Sequence, residues 1–432
     1  MKQEQGKYAS GYAAGYAQGM EEGIRSFGSG LNGTSIIIPT YNRRDLLLQC
    51  LDSIEAYTHL PYEIIIVDNG SEDGTAEAIR RRQRPIRLTV HEQNLGFAGA
   101  INTGLMMAKG QYIVLLNNDV LVTERWLDQL LYCLSQRPDA AAVGPVTNYI
   151  SGDQQIAVPY GDDIAAMQVY AAAHNVTDPA KWRETERLVG FCLAFPRSTF
   201  EQIGYFDEGY VIGNYEDDDW MARLRLQGKK QVIAGDTFIH HYGSMTMKGL
   251  GEQGFAEVNT RNHDFFAEKW GDLQSLYLRM PGWRSSGALR SADFFPSGVC
   301  VKGWNSTVYW LEHGVRHPLE GNGAEGMGSP PTRLAVTDLL HLPRGAGRSM
   351  HEVLALRASQ AAQPGQEGSV TRAGDGRLYQ LDRGQRREVT SEYACQAWGL
   401  TVSGEIAGTQ WLEQYPEGLP ILPPLRLLND DL

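Results

Sequence analysis

The sequence predicts an α/β protein: a doubly wound, mostly parallel sheet followed by small β-rich modules. Three observations carry this. Apolar runs at 35–38 (SIII), 63–67 (EIIIV) and 112–120 (YIVLLNNDV, apolar until two amides and a carboxylate) lack the alternation of a half-exposed strand. They read as strands buried on both faces of a parallel sheet. Amphipathic segments separate them, the βαβα alternation of a helix-covered layer. Beyond Leu276 glycine, proline and serine rise and helical periodicity fades, marking a change of domain.

Along the chain, residues 1–33 carry a four-residue repeat, with Gly11, Gly15, Gly19 and Gly23 in register and Tyr8, Tyr12, Tyr16 and Met20 at the same spacing. On a helix these positions form a slowly drifting stripe. The segment reads equally as a small self-association helix, where glycines allow close approach, or as a flexible tail. The first domain spans 34–275. Its helices are expected at 43–57 (burying Leu46, Leu47, Cys50, Leu51 and Ile54), 75–83, 98–108 and 124–136 (burying Leu127, Leu130, Leu131 and Leu134). From 140 to 271 the pattern is less regular and richer in polar chemistry. A linker at 276–297 leads to two modules, 298–362 and 366–432. Tyr309, Leu311, Glu312, Gly314 and Arg316 of the first align with Tyr379, Leu381, Asp382, Gly384 and Arg386 of the second. Each copy reads as a β-hairpin turning at HG or RG, and the first holds an insertion at 321–331.

Bulk properties narrow the function. A chain of 432 residues suggests two or three domains. A net charge of −12 argues against nucleic acid as the main partner. The basic cluster Arg80-Arg81-Arg82 with Arg84 reads as a solvated helix end. Five scattered cysteines (Cys50, Cys133, Cys192, Cys300, Cys395) without metal-ligand spacing suit a reduced cytosolic protein. No apolar run has the length of a membrane span and no signal-peptide core is seen. A cytoplasmic protein, with peripheral association at the inner face of the membrane left open, is the expectation.

The three strands end in polar residues: Pro39-Thr40-Tyr41-Asn42, Asp68-Asn69-Gly70-Ser71 and Asn117-Asn118-Asp119. Ligands of open parallel sheets bind at the carboxyl ends of the strands, so these ends describe one crevice for a polar, anionic ligand. Asp68 reads equally as a contact to a ribose or base edge and as a turn-forming cap. Asp119, beside two amides, suits a divalent cation shared with phosphate oxygens. The glycines of the stretch 94–104 (NLGFAGAINTG) would let backbone approach a ligand. Glu216-Asp217-Asp218-Asp219 before Trp220 places four carboxylates in a row. Mutual repulsion should raise at least one pKa, as a general base needs. The paired His240-His241 reads as structural or as completing a metal site. Trp220 and Trp182 read as core packing more readily than as sugar-stacking rings.

Together the segments IIIPTYNR, IIIVDNGSEDGT, NLGFAGAINTG, LLNNDV, GFCLAFPR, GYFDEGYVIGNYEDDDWMARLRLQG and GDTFIHHYGS resemble glycosyltransferase family 2, which has the GT-A, Rossmann-like fold. They occur in family order over about 34–248, most like the bacterial rhamnosyltransferase-like branch that builds cell-surface polysaccharide or glycoprotein glycans. The resemblance implies inverting transfer from a nucleotide-diphosphate sugar, dTDP-rhamnose or a UDP-sugar, to a glycan, lipid-linked or protein acceptor. It implies a nucleotide-sugar site at Pro39, Thr40, Tyr41, Asn42, Asp68, Asn94, Gly96, Phe97, Asn102, Asn117 and Asn118. Asp217 matches the catalytic base, with Glu216, Asp219 and Trp220 in support. Asp119, with His241 or His240, matches the ligands of Mn2+ or Mg2+, and Asn117 departs from the family's first metal-site acid. A homo-oligomer formed through the N-terminal repeat or the modules is also open. The competing reading is a non-catalytic carbohydrate-binding protein on a GT-A scaffold. A sugar nucleotidyltransferase is disfavoured because no early basic loop is visible.

Overall fold

The computed structural model describes residues 30–161, 163–243, 251–280, 289–303, 307–320, 329–362, 365–406, 412–429 and 432. The N-terminal repeat and most of the 321–331 insertion lie outside the described residues.

Strands β1 (Leu31–Thr40), β2 (Tyr62–Asp68), β3 (Ile86–Val90), β4 (Gly110–Leu116), β5 (Val120–Leu121), β6 (Ala140–Val146), β7 (Trp182–Thr185), β8 (Cys192–Pro196), β9 (Lys230–Phe238) and β10 (His240–His241) build the first domain. Eight of them form one sheet in the order β3-β2-β1-β4-β8-β6-β9-β7. β3, β2, β1 and β4 run parallel. β8 reverses direction between β4 and β6. The mostly parallel doubly wound sheet is therefore present, with β8 and edge strand β7 antiparallel. Ile36, Ile37, Ile38, Ile65, Ile66 and Val114 are wholly buried, because helices cover both faces and the strands lack a wet side.

The expected helices appear as Arg44–Tyr57, Thr75–Arg80, Gly96–Met107 and Trp126–Gln136. The run 112–120 is not one strand. β4 ends at Leu116, and Val120–Leu121 starts a separate ribbon, antiparallel to His240–His241. Asn117-Asn118-Asp119 is the turn between them. Register sets the crevice, since β1 and β2 pair Thr40 with Asp68 at their last residues.

After helices Gly251–Trp270 and Leu273–Arg279 come two further sheets. One holds β11 (Val299–Lys302), β12 (Val308–Glu312), β13 (Val315–Glu320), β14 (Thr332–Arg333) and β15 (Arg348–Ser349). The other holds β16 (Val370–Ala373), β17 (Leu378–Asp382), β18 (Gln385–Val389) and β19 (Val402–Ile406). Each is a three-stranded meander with a parallel strand added to its first member. Each third strand also receives a PxG segment in the same way. Arg316 N–H donates to Pro343 O (2.9 Å) and Gly345 N–H to Arg316 O (2.9 Å); Arg386 N–H donates to Pro416 O (3.0 Å) and Gly418 N–H to Arg386 O (2.9 Å). The hairpin picture of the modules omits their helices, Val336–His341, Met350–Ala362 and Glu392–Ala397.

The second module is bonded to the linker, and the segment after it to the first domain. Arg387, almost fully buried, donates to Leu419 O, Phe295 O and Asp293 O and pairs with Asp382 at 3.0 Å. The segment after Leu419 returns to the first domain, where Leu427 and Leu432 enter the core around Ile37 and Leu115. Among the described residues no helix is long and apolar enough to cross a membrane, and all five cysteines are buried free thiols.

Candidate active site

A cavity of about 150 Å³ opens at the carboxyl ends of β1 and β4. Pro39, Thr40, Tyr41, Asn94, Phe97, Asn117, Asn118, Asp119, Glu216 and Asp217 line it. A wider cleft of about 1280 Å³ adjoins it, sharing Tyr41, Asn94 and Ile212 and adding Asn42 and Gly96. Asp68 does not line the cavity, although the next residue, Asn69, does. Asp68 is fully buried, and its Oδ1 accepts the Ser71 N–H at 2.9 Å, the turn-forming bond. Among the described residues its Oδ2 has no hydrogen-bond partner, and neither have Asn117 Oδ1 and Glu216 Oε2. Buried polar atoms left in that state are costly, so a polar ligand suits this end of the sheet.

The helix Glu216–Leu226 opens with the four acids. The backbone reaches it through Ile212, Asn214 and Tyr215, all at positive φ (63°, 78° and 74°). That is a strained path for a β-branched residue such as Ile212. Buried Asn262 holds it in place: its Nδ2 donates to the carbonyls of Val211 (3.0 Å), Gly213 (2.8 Å) and Asn214 (3.0 Å), and its Oδ1 accepts the Val211 N–H at 2.9 Å.

Helical geometry then separates the acids. Asp217 Oδ2 accepts the Gly190 N–H at 2.9 Å, and a Cβ on Gly190 would stand 3.4 Å from the Asp217 Cβ. Burial pushes the Asp217 carboxyl up to about 6, with the neighbouring Asp218 charge adding and Arg187 opposing. Burial, then the Asp217 charge, raises Glu216 well above the ordinary carboxylate range. Asp218 turns outward to a two-bond pair with Arg187 (2.6 and 3.2 Å). Asp219 points into the core, where Lys269 Nζ lies 2.5 Å from it and 2.5 Å from Asp207, and Arg223 lies 3.1 Å away. Burial alone would raise Asp219, but the Lys269 and Arg223 charges hold it below the ordinary range.

Behind Asp119, His241 stacks on Phe191 and brings its Nε2 to 3.2 Å from Asp119 Oδ1, although it does not itself line the cavity. Its Nδ1 lies 2.8 Å from the Tyr149 carbonyl, which fixes a proton on that nitrogen. In the neutral ring the Nε2 lone pair therefore faces a carboxylate oxygen, an arrangement that a cation satisfies. The donor set thus fits a divalent metal. Strand alternation turns His240 to the other face, with its Nδ1 2.9 Å from the Tyr160 hydroxyl.

Three expected site residues serve the scaffold instead. Asn102 is fully buried; its amide donates to Phe206 O and Glu208 Oε1 (2.9 Å each) and accepts the Phe206 N–H. Trp220 is fully buried and stacks on Phe206 at 5.4 Å. Asp219 belongs to the lysine network. Sequence reasoning missed Gly190, Arg187, Asn262 and Lys269. Only Gly190, inside the GFCLAFPR segment, carried a signal.

A family model described as "Glycosyl transferase family 2" matches residues 35–204. Glycosyltransferase GlyG of Streptococcus pneumoniae is 31% identical over 208 residues, which are 47% of this chain and 68% of that protein. The N-acetylglucosaminyl-diphospho-decaprenol L-rhamnosyltransferase of Mycobacterium tuberculosis is 29% identical over 283 residues, 59% of this chain and 91% of that one. Protein CgeD of Bacillus subtilis is 23% identical over 397 residues, 90% of this chain and 80% of that one. The solved mannosyltransferase PcManGT of Pyrobaculum calidifontis is 22% identical with a TM-score of 0.37, covering 60% of this chain and 77% of that one; so low a score carries no argument. With the strand-end motifs, the matching family model and a relative above 30% identity covered over two thirds of its length, the chain belongs to glycosyltransferase family 2.

Proposed function

We propose that the crevice transfers a sugar from a nucleotide-diphosphate donor to an acceptor hydroxyl with inversion at the anomeric carbon. The supporting observation is that Asp119 and Asp217 line one cavity while only Asp217 combines exposure to it with a carboxyl pushed up to about 6. A group tuned near the working pH takes a proton efficiently. In this reading Asp217 accepts the proton of the acceptor hydroxyl, and the oxygen attacks the face opposite the departing nucleotide. Gly190 N–H keeps the receiving carboxylate oriented. Thr40, Tyr41, Asn69 and Asn94, which line the cavity, hold the nucleoside, and Asp68 shapes the turn behind them. Asp119 and His241 would hold Mn2+ or Mg2+, which when bound supplies positive charge to the diphosphate leaving group.

The matched relatives include a rhamnosyltransferase, so dTDP-rhamnose or a UDP-sugar is the donor class proposed, with a glycan, lipid-linked or protein acceptor in cell-surface synthesis. The paired PxG bonds favour reading the two modules as one unit made twice. Titration of UDP, dTDP and GDP with and without Mn2+ tests the reading. Metal-dependent binding and slow donor hydrolysis are expected. A chain that binds glycan but no nucleotide is instead a carbohydrate-binding protein on this scaffold.

A further inference from the structure

We infer that the strap 419–429, which returns from the second module, forms a wall of the nucleotide end of the donor cleft, with Leu428 as the residue that meets the nucleotide. The inference rests on the nucleotide-sugar reading above. Its anchor is Glu208, which is only 5% exposed. One carboxylate oxygen, Oε1, accepts the Asn102 amide at 2.9 Å. The other, Oε2, accepts two consecutive backbone N–H groups of the strap, Leu428 at 2.5 Å and Asn429 at 2.8 Å. Glu208 N–H in turn donates to Arg426 O at 2.9 Å. Charge-assisted bonds of this kind are the stronger ones, and Leu427 beside them is buried in the catalytic core.

The strap is also wired to the strand end. Asn429 Nδ2 lies 3.5 Å from Thr103 Oγ1, which lies 3.1 Å from His91 Nε2. The other ring nitrogen of His91 is 2.9 Å from Asn69 Oδ1. Asn69 follows Asp68 and lines the cavity. The strap is therefore linked to Asn69, at the strand end on the nucleoside side of the crevice.

Leu428 is held by its own amide, yet it remains 60% exposed. It lines the cleft together with Tyr41 and Asn94, which also line the Asp119 and Asp217 cavity. An apolar side chain on an anchored backbone at the open side of a polar cleft offers van der Waals contact to the face of a base. The second module, carried by this strap, thus contributes to donor recognition.

The test uses the full chain. UDP, dTDP and GDP, each with Mn2+, are titrated calorimetrically into the wild type and Leu428→Asp, with Tm recorded beside each. Val169→Asp, which changes an exposed residue on the helix Ile164–His174, controls for added negative charge. An aspartate on the wall would repel the anionic ligand, so Leu428→Asp should weaken the bound nucleotide about tenfold with Tm unchanged, while Val169→Asp leaves Kd as it was. A Leu428→Asp Kd within about twofold of the wild type overturns the wall, even if acceptor KM moves. Equal weakening by Val169→Asp overturns it too. If the wild type binds none of the three nucleotides, the donor reading itself fails and the wall falls with it.

Discussion

The two sides of the helix Glu216–Leu226 carry the same chemistry to opposite ends. Glu216 and Asp217 face the cavity, where burial without a cation in direct contact pushes both carboxyls up. Asp218 and Asp219, the next two residues, are each bonded to a cation, Arg187 on the surface and Lys269 in the core. The comparison teaches that an acidic run is not one feature. About 100° of helical turn per residue gives each acid its own environment, and the environment decides which carboxyl is pushed up and which is held in an ion pair.

The core side should break most severely. Lys269→Met removes the buried cation shared by Asp207 and Asp219, leaving Arg223 with Asp219 alone, and should cost about 3–5 kcal/mol of stability, read by denaturant melts. If stability is unchanged, the network is not what holds this helix.

The cavity side should show itself in pH dependence. Asp217 must be ionised to accept a proton, so kcat/KM should rise with pH through about 6. Arg187 opposes the upward shift, so Arg187→Gln should move that acid limb to higher pH. A limb that stays put would separate Arg187 from the base.

The smallest effect belongs to Glu216. Burial and the neighbouring Asp217 charge favour the neutral form of Glu216, and Gln is the neutral isostere of that form. Glu216→Gln should leave transfer at pH 7 close to that of the wild type, and a large loss would mean that Glu216 works as an anion.

Much of this was legible in the sequence. Strand ends and the acid run are local signals, and fully apolar runs such as 63–67 leave a strand little choice but burial. What escaped depends on distance or on phase. Nothing near Asn262 or Lys269 reveals that they hold residues 211–214 and Asp219, about fifty positions earlier. Asn102 lay in a glycine-rich stretch that suggested ligand contact, but its partners are Phe206 and Glu208, about a hundred residues later. The run 112–120 looked continuous because Val120 resumes apolar character after a three-residue turn. The histidine pair was ambiguous until the ribbon register of His241 against Val120 set which ring lies beside Asp119. The strap was invisible because its bonds to Glu208 come from backbone amides, which have no sequence signature.

The most direct measurement is single-turnover transfer by Asp217→Asn, with nucleotide Kd and Tm measured on the same protein. The carboxyl titrates near 6 when folded, against an ordinary 3.8, so its stability contribution is present below about pH 4 and lost as pH rises through 6. An asparagine escapes that loss. The account predicts an unchanged Kd, a Tm at pH 8 no lower than the wild type, and transfer slowed by about 10²-fold or more. Near-normal turnover with intact binding would contradict it.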